Sequence, residues 1–287
     1  MLRCLAGLLA TLALAACAPT AEPAQPAFWR IDGPNGQHGW LLGTIHALPR
    51  PALWRSRPID RALRETDAIV VEVGNLDDSG AMAREFASLA VSQDQPPLTQ
   101  RVEPQYRQSL LALLKRGGLD DTGFARTDTW AAALTLARVG EGSLDSNHGI
   151  DRAIIRNAGG KPVVEIEGAH EQLSLFDSLP ETEQRDLLEL VVADAGSGEA
   201  IDGGLAQAWR KGDMATIERE TRRGLLADPE LRQALYTGRN QAWSGKIAAM
   251  LADGRHPFVA VGAAHMAGEE GLPALLASRG FKVTRLQ

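Results

Sequence analysis

The chain has 287 residues, enough for one large domain or two intertwined halves, and its 44% apolar and 23% charged content is ordinary for a globular protein. A net charge of −6 gives no electrostatic reason to expect nucleic acid as a partner. Both cysteines lie in the first seventeen residues, which excludes a disulfide framework or a cysteine metal site in the body of the chain.

Met1-Leu2-Arg3 is a positive start, and Leu5 to Ala16 is an apolar stretch too short to span a membrane comfortably as a mature helix. It ends in Leu14-Ala15-Ala16-Cys17, which resembles the lipobox of bacterial lipoprotein signals. That resemblance implies that residues 1–17 are a signal segment and that Cys17 is lipidated to become the first mature residue. The Pro- and Ala-rich residues 18–27 read as a flexible tether. The expected product is a soluble domain held to a membrane by an N-terminal lipid anchor. It would sit in the bacterial cell envelope, facing the periplasm and expected at the outer membrane.

Residues 28–287 read as a single domain. Phe28-Trp29-Arg30-Ile31 predicts a first strand, Gly33-Pro34-Asn35-Gly36 a turn, and Trp40-Leu41-Leu42 a second strand running into Gly43-Thr44-Ile45-His46. Prolines 49, 51 and 58 exclude regular structure until a helix near Ile59. Ala68-Ile69-Val70-Val71-Glu72-Val73 has the unalternating apolar run of a strand covered on both faces. Glu72 near its end must be paired, protonated or bound to a cation, because desolvating a lone charge is costly.

From about 77 to 145 the pattern is helical, over Ala81 to Ala90, Pro104 to Arg116 and Thr129 to Val139. It reads as an insertion packing over the sheet, with the character of a lid. Asp151 opens another short helix, where an acid also suits the helix dipole. Pro162 to Glu167 predicts a second apolar strand ending in acid. Glu171 to Ala193 is helical with a break at Pro180, and Gly196, Gly198, Gly203 and Gly204 mark a loop. Helices are expected over Leu205 to Trp209, Met214 to Leu226 and Pro229 to Leu251, the last carrying Arg239 and Asn240. His38 and His256 flank turns and read as solvated.

The ending, Phe258-Val259-Ala260-Val261 followed by Gly262-Ala263-Ala264-His265, repeats the strand-Gly-x-x-His unit of the amino end. In both places a short helix and another apolar strand follow. Open α/β sheets bind ligands beyond the carboxyl ends of their strands, and glycine there permits close approach. Two such units predict two half-sites facing each other, with His46 and His265 side by side.

Several pieces recur together in an order that resembles the TraB/GumN family, which is related to the Tiki proteins and more distantly to erythromycin esterases and ChaN-like lipoproteins. They are Leu42 to His46, Val70 to Val73, Gly149-Ile150-Asp151, Gly160 to Glu167 and Glu171-Gln172-Leu173. Arg239-Asn240 with Trp243 and Val261 to Gly268 complete them. The resemblance implies an α+β fold of two related halves around a central mixed β-sheet with helical insertions. It also implies a site built from both histidines and Glu72. Where relatives often carry Thr after the second acidic strand, this chain has Gly168-Ala169-His170; His170 there reads as an exposed helix histidine.

Because Tiki members are metal-dependent proteases, one expectation is a metal-dependent, peptidase-like hydrolase acting on a peptide or small-molecule substrate. His46, His265 and Glu72 would ligate a divalent transition metal, with Zn, Mn and Co not separated by such a donor set. Glu167, Asp151 or Glu165 would serve as base or orienting partner, and Arg239 and Asn240 would stabilise an oxyanion. A metal-free variant has Glu72 activating water through His46. The alternative is a non-enzymatic periplasmic module binding a metal or haem, as ChaN-like relatives do.

Overall fold

A computed structural model describes residues 20–196 and 201–287. The proposed signal segment, its Cys17 and the loop glycine Gly198 lie outside the described residues. In chain order the strands are β1 (Glu22–Pro23), β2 (Phe28–Asp32), β3 (His38–Thr44), β4 (Ala52–Leu53), β5 (Ala68–Val71), β6 (Val163–Glu165), β7 (Pro257–Gly262) and β8 (Lys282–Arg285). The helices are α1 (Arg57–Glu65), α2 (Ser79–Leu89), α3 (Arg107–Gly117), α4 (Thr129–Gly140), α5 (Ile150–Arg156) and α6 (Ala169–Asp177). They continue with α7 (Glu181–Gly196), α8 (Ile201–Lys211), α9 (Met214–Glu220), α10 (Pro229–Arg232), α11 (Gly238–Ala252) and α12 (Leu272–Ser278).

Six strands form one mixed sheet in the order β6-β5-β7-β3-β2-β8. The four from β6 to β3 are parallel, whereas β2 is antiparallel to both of its neighbours. Strand alternation divides the buried side chains between two faces. Trp40, Leu42, Ile69, Val71, Phe258 and Ala260 meet α1, α5, α8 and α9 on one side. Leu41, Val70, Val259 and Val261 meet α11 and α12 on the other. The architecture is therefore α+β, with a sheet between two helical layers.

The two strand-Gly-x-x-His units sit at the middle of this sheet. β3 leads through α1 to β5 on one side, and β7 leads through α12 to β8 on the opposite side. Because they travel in opposite directions, their helices cover opposite faces, as crossovers of a common hand require. Adjacent strands that diverge in this way leave a crevice between their carboxyl ends, the place where open sheets hold ligands.

The helices α2, α3 and α4 fill the stretch from 77 to 145, but they pack differently from the expectation. Leu110, Leu113, Leu114, Trp130 and Leu136 join Leu173, Leu187, Leu188 and Val192 of α6 and α7 in a separate core that contains no sheet residue. The insertion thus docks on the helices that follow β6 instead of lying across the sheet. Buried Arg101 ties its loops together by donating to the carbonyls of Pro96, Thr127 and Phe124.

Three other expectations are corrected. Residues 22–27 are not a free tether: β1 pairs with β4, and Ala24 and Ala27 are buried. Gly203 and Gly204 fall inside α8 instead of a loop. His38 and His256 are not simply solvated, since their rings stack with centroids 4.0 Å apart beside Trp40. Pairing of β3 with β7 brings these two strand-entry positions together, which local sequence does not reveal.

Candidate functional site

The residues following β3, β5, β6 and β7 converge at one edge of the sheet. Gly262 lies at their centre. A Cβ placed on it would stand 3.3 Å from Glu72 Oε1, 3.7 Å from His46 Nε2 and 3.7 Å from His265 Cδ2. Both histidines and Glu72 therefore meet over this glycine, although His46 and His265 are far apart in the chain.

His46 is held from α5. Its Nδ1–H donates to Asp151 Oδ2 at 2.8 Å, while the Thr44 hydroxyl donates to Asp151 Oδ1 at 2.5 Å. A carboxylate only accepts, so the bond assigns a proton to Nδ1, and Nε2 offers a lone pair when the ring is neutral. Asp151 is 7% exposed, whereas the His46 side chain is 70% exposed and faces an open pocket. The Asp151 charge raises the imidazole pKa toward about 10, a pull that water around the exposed ring weakens.

α5 can approach so closely because Gly149 precedes it. The Ile150 N–H donates to the Ile45 carbonyl at 2.9 Å. A Cβ on Gly149 would lie 2.1 Å from the His46 carbonyl oxygen. From α8, the buried Trp209 indole donates to the Gly43 carbonyl at 2.9 Å. The backbone carrying His46 is thus clamped from two helices.

Glu72 is 6% exposed and accepts three hydrogen bonds. Oε1 accepts from the Gly262 N–H at 2.7 Å, and Oε2 accepts from Arg239 Nη2 at 2.9 Å and Gln172 Nε2 at 3.2 Å. Burial raises its pKa, but His265 when protonated, His46 and Arg239, with the Gly262 N–H, outweigh burial and hold the carboxyl down at about 2. Arg239 also grips Glu167 with two bonds, at 2.7 and 3.1 Å, and its guanidinium lies 4.6 Å from the Trp243 ring centroid. Burial pushes the Glu167 carboxyl upward.

His265 is fixed at both nitrogens. Asn240 Nδ2 donates to the Glu270 carbonyl at 2.8 Å, so its Oδ1 accepts the His265 Nδ1–H at 2.7 Å. Nε2 then accepts from Arg239 Nη1 at 3.3 Å. Burial lowers the pKa of this ring to about 4, leaving it neutral. The two half-sites are alike in plan: each histidine gives its Nδ1–H to an Asx side chain on a helix. They differ in charge, because one Asx is aspartate and the other asparagine. The Asp151 charge raises one imidazole while burial lowers the other, and the two move apart in basicity.

The pocket beside this cluster has a volume of about 230 Å³ and is lined by His46, Glu72, Val73, Leu76, Ser146, Asp151, Arg152 and Gln172. The sequence-predicted residues His46, His265, Glu72, Asp151, Glu167, Arg239 and Asn240 are all brought together here. Their roles are redistributed. Arg239 is committed to Glu72, Glu167, His265 and the Leu235 carbonyl, and Asn240 bridges the Glu270 carbonyl and His265 instead of facing the pocket as an oxyanion donor. Glu165 is exposed and instead accepts from the Gly74 N–H at 2.6 Å. His170 is exposed and pairs with Glu85.

Sequence reasoning did not give roles to Thr44 and Gln172. Both stood within quoted motifs, and only the tertiary structure turns them toward Asp151 and Glu72. Among the described residues, no group of three or more His, Cys, Asp or Glu side chains is arranged to hold a metal ion. His265 illustrates the reason, since its only lone-pair nitrogen faces a guanidinium.

No solved structure matches the chain. Two curated relatives, each named "Uncharacterized protein YbaP", come from Shigella flexneri and Escherichia coli strain K12. Each is 26% identical over 254 residues, covering 86% of this chain and 90% of the relative. The family model described as TraB/PrgY/gumN matches residues 27–285, and the chain belongs to that family.

Proposed function

We propose that the protein is a hydrolase in which His46, oriented by Asp151, transfers protons to and from a water held beside Glu72. One observation carries the reading: Asp151 takes the Nδ1–H of His46, while His46 Nε2 and Glu72 Oε1 both come within 4 Å of a Cβ placed on Gly262. In its neutral form His46 can remove a proton from water as the oxygen attacks an acyl carbon, then return that proton to the leaving group. Glu72 can accept a hydrogen bond from the same water and favours the transient imidazolium. Because Asp151 raises the histidine pKa, the rate should climb with pH as the neutral ring accumulates.

The pocket volume falls below the roughly 300–1,000 Å³ of drug-sized ligand sites. It suits one acyl group or one residue of a longer peptide and has little room for a porphyrin, which argues against the haem-binding alternative. The same proposal includes a lipid anchor at Cys17 that would keep the enzyme at the periplasmic side of the cell envelope.

A second reading puts a divalent cation such as Zn, Mn or Co on His46, Glu72 and His265. Their convergence over Gly262 favours it. The donor set as arranged does not fit, because Arg239 occupies His265 Nε2 and one Glu72 oxygen. No step is assigned to a metal for that reason.

The test is hydrolysis of chromogenic esters and amides by the purified protein and its His46→Ala and Asp151→Asn variants, with metal analysis of the native protein and of His265→Ala. Loss of about 10²–10⁴ in rate in the variants is expected. Equal turnover by all three proteins, or none by the native chain across the panel, would overturn the hydrolase reading. Stoichiometric metal that disappears in His265→Ala would favour the second.

A further inference from the structure

Two of the site's three carboxylates are each seated by the residue that ends a central strand. In the β3–β7 register Thr44 stands directly opposite Gly262. The Gly262 N–H holds Glu72 Oε1, and the Thr44 hydroxyl holds Asp151 Oδ1. Glycine does this with its backbone, but at Thr44 the work falls to a side chain that a substitution can remove.

We propose that Thr44 is a positioning residue: its hydroxyl fixes the plane of the Asp151 carboxylate and so fixes His46. Resting on the hydrolase reading for its catalytic consequence, the proposal concerns geometry already present in the resting protein. The terminal torsion of an aspartate is broad, so one hydrogen bond leaves the carboxylate free to rock. With Oδ1 held at 2.5 Å by Thr44, Oδ2 stays on the His46 Nδ1–H at 2.8 Å.

The donor is well placed to persist. Thr44 is 1% exposed, so water does not compete for its hydroxyl, and the Thr44–Asp151 contact is made wholly inside the protein. Its backbone is locked between β7 on one edge and the Trp209–Gly43 bond just before it. Asp151, in turn, comes from α5, whose approach is set by Gly149. A rigid strand end therefore aligns a carboxylate borrowed from a helix more than a hundred residues away. Thr44 touches no reacting atom in this scheme and acts only through Asp151.

The experiment compares Thr44→Val, Thr44→Ala and Thr44→Ser in the full chain. Val keeps the volume and loses the hydroxyl; Ala and Ser both lose the methyl and differ only in the hydroxyl. Proton NMR of the resting protein should show a downfield resonance for the His46 Nδ1–H, absent in His46→Ala. It should survive in Thr44→Ser and shift upfield or broaden in Thr44→Ala and Thr44→Val. With a hydrolysable substrate, Thr44→Val should lower kcat about 10- to 100-fold with KM little changed, and Ser should restore most of it.

If Val does not fold, the Ala–Ser pair decides alone. An unshifted resonance in Thr44→Ala would overturn the proposal, as would equal loss in Ala and Ser. Because the resonance needs no substrate, failure of the hydrolase reading would appear separately, as a native protein with the signal but without turnover.

Discussion

Replacing Arg239 with methionine strands two carboxylates inside the protein. The side chains of Glu72 and Glu167 are each 7% exposed, and the guanidinium stands 2.9 Å from one and 2.7 Å from the other. Methionine preserves much of the stem that lies against Trp243 but supplies no charge. Removing one partner of a buried ion pair costs about 3–5 kcal/mol, because the remaining charge keeps its desolvation penalty. Loss of the cation–π contact adds about 0.5–2 kcal/mol. Urea unfolding followed by tryptophan fluorescence measures the change. A triple variant, Arg239→Met with Glu72→Gln and Glu167→Gln, should recover most of the loss, since amides need no counterion. The sign with pH also follows. Without the guanidinium both carboxyls titrate at higher pH, so the single variant should regain stability relative to the native chain as pH falls. A loss under about 1 kcal/mol with no recovery in the triple variant would refute Arg239 as the centre of the cluster.

Gly149→Ala should destabilise the fold by about 1–3 kcal/mol, as overpacking does, because its Cβ would meet the His46 carbonyl at 2.1 Å. The same substitution should weaken the His46 Nδ1–H resonance, and an unperturbed spectrum would contradict the close-approach argument. His265 is neutral in the fold, with a pKa lowered from 6.5 to about 4. Its unfolded form binds the proton first, so stability should fall as pH drops from 6.5 toward 4, by up to about 3 kcal/mol. His265→Gln should flatten the slope of unfolding free energy in that window, and an unchanged slope would count against a buried neutral ring. For the proposed anchor, Cys17→Ala should release the processed protein from membranes on fractionation; retention with lipid would remove that part of the proposal.

The sheet strands and most helices were legible because their patterns are local. β5 is an uninterrupted apolar run, the short helix expected after His265 is α12, and both glycine-histidine units follow apolar strands as read. The convergence of His46 with His265 was legible for a different reason, since a repeated unit carries information about symmetry. Partner choice was not. Asp151 suited a helix start equally well, and only the crossing of α5 over Ile45 shows that it faces inward. Arg239 looked like an oxyanion donor because a sequence displays a cation without displaying the two acids that will claim it. Gly203 and Gly204 looked like loop because glycine has low helix propensity, yet both lie in α8. The ring stack of His38 and His256 depends on strand register, which no local pattern specifies.

The central position of β7 has a consequence for how the molecule is made. Residues 257–262 insert between β3 and β5, so the two earlier strands share no direct hydrogen bonds. A nascent chain that has produced Leu41 and Ile69 must carry both strands, one edge of each bare, until nearly its last thirty residues are available. Contacts this remote in sequence form slowly, and exposed strand edges invite pairing with other chains meanwhile. Glu72 likewise waits for the Gly262 N–H, and His46 waits for its opposite number. Assembly is therefore a late closure rather than gradual growth. A chain ending before Pro257 would lack the strand that joins one side of the sheet to the other.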